Sequence, residues 1–165
     1  MKQKKSDFIL IVESNRGLIR SLCNAYFTGI EDQKDIFQDI ILQLWKSFET
    51  FRGESEISTW IYRVSLNTIL AKIRKEKNQA CTQPISDTEI PLWHARADDE
   101  RELLNLVLQS LNELDKAIVL LYLEGYKNKE ISQILNITLT NVTTRLSRVK
   151  AHLKARFKTQ HYELK

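Results

Sequence analysis

The side chains best suited to chemistry cluster near the C-terminal end of the sequence. Residues 141–160 include six basic side chains and no acidic one. Small residues recur there at helical spacing, opposite an apolar stripe that begins with Val142 and Leu146. Such a helix can seat deeply in a DNA major groove, where Arg and Lys reach phosphates and guanine and Asn reads adenine. We predict a DNA-facing surface made of Thr138, Thr140, Asn141, Thr143, Thr144, Arg145, Ser147, Arg148 and Lys154.

The segment before this helix predicts a helix-turn-helix. Two short amphipathic helices are expected over residues 116–124 and 129–135, and a third from residue 139. We expect N-caps at Asp115, Asn128 and Thr138, a helix end at Gly125, and a sharp turn with positive φ at Asn136. The alternative is a solvated basic face on an ordinary bundle helix. The short turn and the missing acidic residues favour DNA binding.

A second candidate surface lies on a predicted helix over residues 32–48. Apolar residues form one wide stripe along it, from Ile36 to Phe48. The opposite face carries Asp35, Gln38, Asp39, Leu42 and Lys46. An acidic face with an apolar centre suits docking onto another helix. The alternative is a single exposed leucine without function.

A third candidate is the predicted helix over residues 57–77, which has apolar residues on two faces. Arg63, Asn67 and Arg74 share a further face, and basic residues cluster at its end. This face could bind nucleic acid, with Arg and Lys at phosphates and Asn or Trp at bases. The alternative is a core helix with a solvated face, in which Trp60 belongs to the core.

Composition predicts an all-α fold. The 165 residues include only four Gly and two Pro, too few for the turns of a β fold. Residues 7–27 show helical spacing that Gly17 interrupts. Residues 78–100 contain both prolines, five acidic side chains and one basic side chain. We therefore expect two small helical domains, residues 1–77 and 101–165, joined by a flexible acidic linker over residues 78–100.

Other classes of site find little support. Cys23 and Cys81 form no CxxC, and His94, His152 and His161 share no motif spacing with Cys or carboxylates. No stretch approaches the ~20 apolar residues of a membrane span. We expect no catalytic residue, metal, cofactor or small-molecule substrate, and a cytoplasmic protein.

Several segments resemble the bacterial extracytoplasmic-function (ECF) sigma factors. The similar segments are Asp35-Ile36-Phe37-Gln38-Asp39-Ile40 with Leu44-Trp45, Phe51-Arg52-Gly53, Thr59-Trp60-Ile61-Tyr62-Arg63-Val64 with Asn67, Gly125-Tyr126 with Glu130-Ile131, and the run from Thr138 to Arg148. Ala71, Asn136, Thr140 and Thr143 depart from the residues usual in the family. These departures bear on which promoter is read.

The resemblance implies a subunit that gives RNA polymerase its promoter specificity. Asp35, Gln38, Asp39 and Leu42 would dock on the clamp coiled coil of the largest polymerase subunit. The C-terminal helix-turn-helix would read the −35 duplex. Melting and holding of the −10 strand would fall to Phe51, Arg52, Gly53, Trp60, Arg63, Asn67, Lys72, Arg74 and Lys75.

The resemblance also implies an anti-sigma factor that could hold the protein at the inner membrane, and a monomer when free. Two rivals remain at this point. One is a stand-alone helix-turn-helix regulator, which normally needs a dimer interface. The other is a helical enzyme, for which the sequence offers no paired acid and base and no phosphate-binding loop.

Overall fold

The computed structural model of the chain divides into two compact units, residues 1–104 and 105–165. The structure describes residues 2–80 and 107–162, and side chains over 4–78 and 107–155. Within those ranges all regular secondary structure is helical, which confirms the predicted fold class. Most of the predicted linker, residues 81–100, lies outside the described residues.

Unit 1 contains α1 (Lys2–Ser14), α2 (Arg16–Tyr26), α3 (Ile30–Phe48) and α4 (Ile57–Ala80). Helices α2, α3 and α4 pack on one another, and α1 packs on α2 and α3. The core is built from fully buried aliphatic side chains: Ile19, Ile36, Ile40, Leu44, Ile61, Leu66 and Ile69. Ile36, Ile40 and Leu44 of the predicted apolar stripe of α3 are buried at a spacing of four residues, whereas Trp45 of the same stripe is 43% exposed.

The break in the first helical segment was predicted at the wrong residue. It lies at Asn15, which has φ −111° and ψ 12°, whereas Gly17 lies inside the first turn of α2. The Asn15 side chain donates from Nδ2 to the Ile11 carbonyl at 2.8 Å and so satisfies an acceptor at the end of α1. Helix α4 also continues to Ala80, past the expected end at residue 77.

Unit 2 contains α5 (Glu113–Leu123), α6 (Asn128–Leu135) and α7 (Leu139–Tyr162), and residues 107–109 are helical as well. The three helices pack on one another. Their core consists of Ala117, Ile118, Leu121, Ile131, Ile134, Val142, Leu146 and Val149. One side of α7 is thereby buried, and its opposite side faces outward.

Two predicted N-caps in unit 2 were wrong. Asn112, not Asp115, caps α5: its backbone is extended and its Oδ1 accepts the Asp115 N–H at 2.9 Å. Lys127 precedes α6 in place of Asn128, and the Glu130 carboxylate accepts the Lys127 N–H at 2.7 Å. In both cases a side-chain hydrogen bond joins the residue before the helix to the residue three positions later. Each helix therefore begins earlier than predicted.

Candidate nucleic-acid and docking surfaces

The α6–α7 connection has the geometry of a tight helix-turn-helix. Asn136 adopts the predicted left-handed conformation, with φ 53° and ψ 48°. The Ile137 N–H donates to the Ser132 carbonyl at 3.0 Å, which closes the turn. Thr138 caps α7 as predicted, because its Oγ1 accepts the Asn141 N–H at 3.2 Å. This turn fixes the start of α7 against the end of α6.

Most of the predicted DNA-facing side chains lie exposed on α7 or at its start. The exposed ones are Thr138, Thr140, Thr143, Thr144, Ser147, Arg148 and Lys154. The Thr143 hydroxyl already has partners in unit 2, since it donates to the Leu139 carbonyl at 2.9 Å and accepts from Nδ2 of Asn128 at 3.4 Å. The remaining two, Asn141 and Arg145, are half-buried. The described part of α7 therefore presents a continuous polar and basic surface without an acidic residue.

Arg145 is hydrogen-bonded to two other side chains of unit 2. One guanidinium nitrogen, Nη1, lies 2.9 Å from Oδ1 of Asp115, and Nε donates to Oδ1 of Asn141 at 2.7 Å. The Asp115 and Arg145 side chains are 17% and 33% exposed. Spacing along α7 could have suggested the Asn141–Arg145 contact, which joins residues four apart. Asp115 lies thirty residues earlier, and local periodicity does not reveal such a contact.

The predicted docking face is assembled on α3. Asp35, Gln38, Asp39 and Leu42 are all exposed, and the Leu42 residue is 48% exposed. The Asp39 carboxylate lies 3.9 Å from the ammonium of Lys72 on α4. The face thus has an apolar centre, negative flanks and a cation at one edge.

An apolar groove beside this face was missed by the sequence analysis. It has a volume of about 510 Å³ and is lined by Lys5, Phe8, Ile9, Phe37, Gln38, Ile41, Leu42 and Trp45. Helix α1 supplies one wall and α3 the other. Ile9, Leu42 and Trp45 are each more than two-fifths exposed, so the groove is open to solvent. The apolar side chains on both flanks of α1 were the sequence feature that could have indicated this groove.

The loop after α3 brings together part of the predicted −10 surface. Gly53 has φ +71°, a conformation that favours glycine over residues with a Cβ. Phe51 is half-buried, and its ring centroid lies 5.0 Å from that of Trp60. Trp60 is only 9% exposed, so its ring belongs to the core of unit 1. Trp60 is therefore a core residue, as the alternative interpretation of this helix expected.

The basic residues of the predicted −10 surface lie along α4. Arg63, Asn67, Arg74 and Lys75 are exposed, as is Arg52 in the preceding loop. Lys72 is half-buried, with its ammonium 5.8 Å from the centroid of the Phe27 ring. The exposed side chains can meet phosphates or bases, whereas Trp60 is buried.

An aromatic cluster connects the groove with this loop. Phe8 contacts Trp45 and Phe48, at centroid distances of 5.0 and 5.4 Å. Phe48 lies 6.3 Å from Trp60, which in turn contacts Phe51. Edge-to-face and tilted pairs of this kind stabilise a core beyond the area they bury.

In the described residues, no group of His, Cys, Asp and Glu side chains could hold a metal ion. None of the helices searched there is long and apolar enough to span a bilayer.

Comparison with known proteins places both units in one family. The sigma-70 region 2 model matches residues 11–79, and the sigma-70 region 4 model matches residues 101–153. The chain is 27% identical to the ECF RNA polymerase sigma-E factor of Haemophilus influenzae, over 88% of this chain and 85% of that protein. It is 28% identical to the ECF sigma factor SigW of Bacillus subtilis, over 92% and 90%.

Two solved structures share the fold. The sigma factor RpoE of Bartonella quintana, in complex with the anti-sigma factor NepR, matches with a TM-score of 0.67 at 17% identity, over 96% of this chain and 98% of that one. CnrH, in complex with the cytosolic domain of CnrY, matches with a TM-score of 0.64 at 17% identity, over 94% and 90%. With both sigma regions present in order and the helix-turn-helix in the second, the chain belongs to the ECF family of RNA polymerase sigma factors, which direct promoter-specific transcription.

Proposed function

We propose that this sigma factor docks on the clamp coiled coil of the largest RNA polymerase subunit through Asp35, Gln38, Asp39 and Leu42. The observation that carries the proposal is the exposed Leu42 between acidic neighbours on the outer face of α3. A partner helix with an apolar ridge and basic flanks would bury Leu42 and pair with the carboxylates.

The −10 strand would be held by the loop after α3 and by the exposed face of α4. Arg52, Arg63, Arg74 and Lys75 would meet phosphates, and Asn67 can reach a base edge. Lys72 and Gly53 would lie beside this strand. Phe51 and Trp60 would support the loop from the core side, and Phe51 is the more exposed of the two rings.

The −35 duplex would lie along the outer face of α7. Thr140, Thr144 and Ser147 would let the helix approach the floor of the major groove. The other members of the surface are Thr138, Asn141, Thr143, Arg148 and Lys154, with Arg145 at its border. Phosphate contacts would supply affinity and base contacts the choice of promoter.

The polymerase, not this subunit, would perform the chemistry of transcription. The protein would act in the cytoplasm, as a monomer when free. One of the similar solved sigma factors is in complex with an anti-sigma factor. We propose that an anti-sigma factor likewise covers this chain.

The test is run-off transcription with purified core RNA polymerase of the host and a library of upstream sequences, with and without the protein. Leu42→Glu should require at least about tenfold more protein for half-maximal initiation, since it places a charge where the proposed interface would bury an apolar side chain. Leu10→Glu is the matched control, because Leu10 is 65% exposed and lies outside the groove.

Equal effects of the two substitutions would reject the docking face. If an active preparation stimulated no promoter but bound a duplex specifically as a dimer, the stand-alone regulator would replace this proposal.

A further inference from the structure

Arg145 donates two hydrogen bonds, which link three side chains from two helices. Asp115 lies in the first turn of α5, and Asn141 lies in the first turn of α7. Arg145 bonds to both, at 2.9 and 2.7 Å. Elsewhere in the described part of α7, Arg148 and Lys154 are exposed and form no ion pair. Arg145 therefore differs from the other basic residues of this surface.

The chemistry of these contacts fixes the orientation of the Asn141 amide. An arginine Nε–H is only a donor, so Asn141 must present its carbonyl oxygen to it. The NH2 of the planar Asn141 amide then points away from Arg145 Nε. It forms no hydrogen bond with another residue in the described part of the chain. The NH2 is therefore the polar group of the half-buried Asn141 side chain that is left to bind a partner outside the described residues.

Asp115 in turn fixes Arg145. A carboxylate on Nη1 holds the guanidinium plane, because arginine–carboxylate bonds are charge-assisted and directional. Both groups are largely shielded from solvent, at 17% and 33% side-chain exposure, which strengthens the pair relative to a surface ion pair. With the guanidinium held, Nε remains aimed at Asn141.

We propose that Asp115 and Arg145 are positioning residues for promoter recognition, which orient the Asn141 amide so that its NH2 donates to an acceptor on a base edge of the upstream duplex. Because Arg145 already donates to the amide oxygen, the NH2 is left to read the base, so guanine, with acceptors at N7 and O6 in the major groove, replaces the adenine expected from the sequence. This inference rests on the proposed role of α7 at the −35 duplex. Asp115 itself touches no DNA and acts only through Arg145.

The test uses the full chain with core RNA polymerase and a library in which the upstream promoter positions are randomised. Asn141→Ala identifies the base pair that Asn141 reads. Asp115→Asn should reduce discrimination at that same base pair by roughly five- to tenfold, and leave the other positions unchanged. Asp115→Glu, which keeps the carboxylate, should restore part of it.

The matched control is Glu124→Gln, which removes the same charge just after α5 from an exposed residue that forms neither of the side-chain contacts of Arg145. A second variant, Arg145→Lys, keeps the positive charge beside Asp115 but replaces the rigid planar guanidinium with a freely rotating ammonium, which does not fix the Asn141 amide. It should reproduce the loss at the Asn141 position even if Asp115→Asn fails to fold, which thermal unfolding would reveal.

The double substitution Asp115→Asn/Asn141→Ala should discriminate no less than Asn141→Ala alone. Loss spread evenly over all promoter positions would mean that Asp115 is merely structural and would overturn the inference. Unchanged discrimination in both Asp115→Asn and Arg145→Lys would also overturn the inference. If the wild-type protein itself selected no upstream sequence, the proposed function would fail, a result distinguishable from failure of this inference alone.

Discussion

Residues of one chemical type have different roles on α7. Arg145 pairs with Asp115, whereas Arg148 is exposed. Lys150 lies over the ring of Tyr122, with its ammonium 4.0 Å from the ring centroid and 2.9 Å from the hydroxyl oxygen. Arg148 and Lys154, for which the described part of the chain shows no such contact, can meet phosphates without first breaking one. Counting basic residues therefore overstates the charge available to DNA.

Cys23 gives a prediction about pH. It is 2% exposed, and desolvation by burial raises the pKa of its thiol from 9.0 to about 11. The unfolded chain releases this proton first, so its contribution to stability is complete below pH 9 and is lost as pH rises toward 11. Between pH 8.5 and 10.5 the unfolding free energy of unit 1 should fall by up to about 2 kcal/mol more in the wild type than in Cys23→Ala.

Urea unfolding followed by tryptophan fluorescence at several pH values measures this difference. Other groups also titrate in this range, and the comparison with Cys23→Ala cancels their effect. Identical pH dependence in the two proteins would show that the buried thiol is not responsible.

At the scale of elements, the turn between α6 and α7 depends on one backbone conformation. Asn136 has φ 53°, in a region that asparagine tolerates better than other residues with a Cβ. Asn136→Ala should lower the unfolding free energy of unit 2 by about 1 kcal/mol. Asn136→Gly should be neutral or stabilising, since glycine adopts positive φ without strain.

Thermal unfolding of the two variants checks this prediction. A larger loss in the glycine variant than in the alanine variant would mean that the asparagine side chain, not its backbone preference, holds the turn.

Sequence periodicity predicted the long elements well and their ends less well. The helical period of α3 identified both its buried residues and the exposed Leu42, because burial alternates at the period of the helix. The break at Asn15 and the cap at Asn112 were missed, since several polar residues nearby could have served equally. The apolar groove and the Asp115–Arg145 pair each join separate helices. Tertiary packing determines such contacts, and the spacing of residues within one helix does not predict them.

At the scale of the whole molecule, a net charge of +4 conceals an uneven distribution. Residues 101–165 hold 11 basic and six acidic side chains, whereas residues 78–100 hold one and five. Attraction to a polyanion is therefore strongest in the C-terminal unit. Association of a protein with DNA releases condensed counterions, so its affinity falls as salt rises.

Lys154→Gln should reduce the slope of log affinity against log salt by about 0.9, the value for one phosphate contact. The measurement is binding of the full chain to a duplex carrying its selected upstream sequence, by fluorescence anisotropy in increasing KCl. Lys34→Gln is the control, because Lys34 is ion-paired with Glu31 on α3, at 2.8 Å. An unchanged slope in Lys154→Gln would remove Lys154 from the phosphate path.

The aromatic cluster of unit 1 also gives the molecule an optical property. Trp45 is 43% exposed at the edge of the groove, while Trp60 is 9% exposed at the other end of the cluster. Indole emission shifts to shorter wavelength when the ring leaves water. A partner that fills the groove would thus shift the emission of Trp45 and leave that of Trp60 nearly unchanged. Trp45 is thus an intrinsic chromophore with which occupancy of this groove could be followed in real time, without a label.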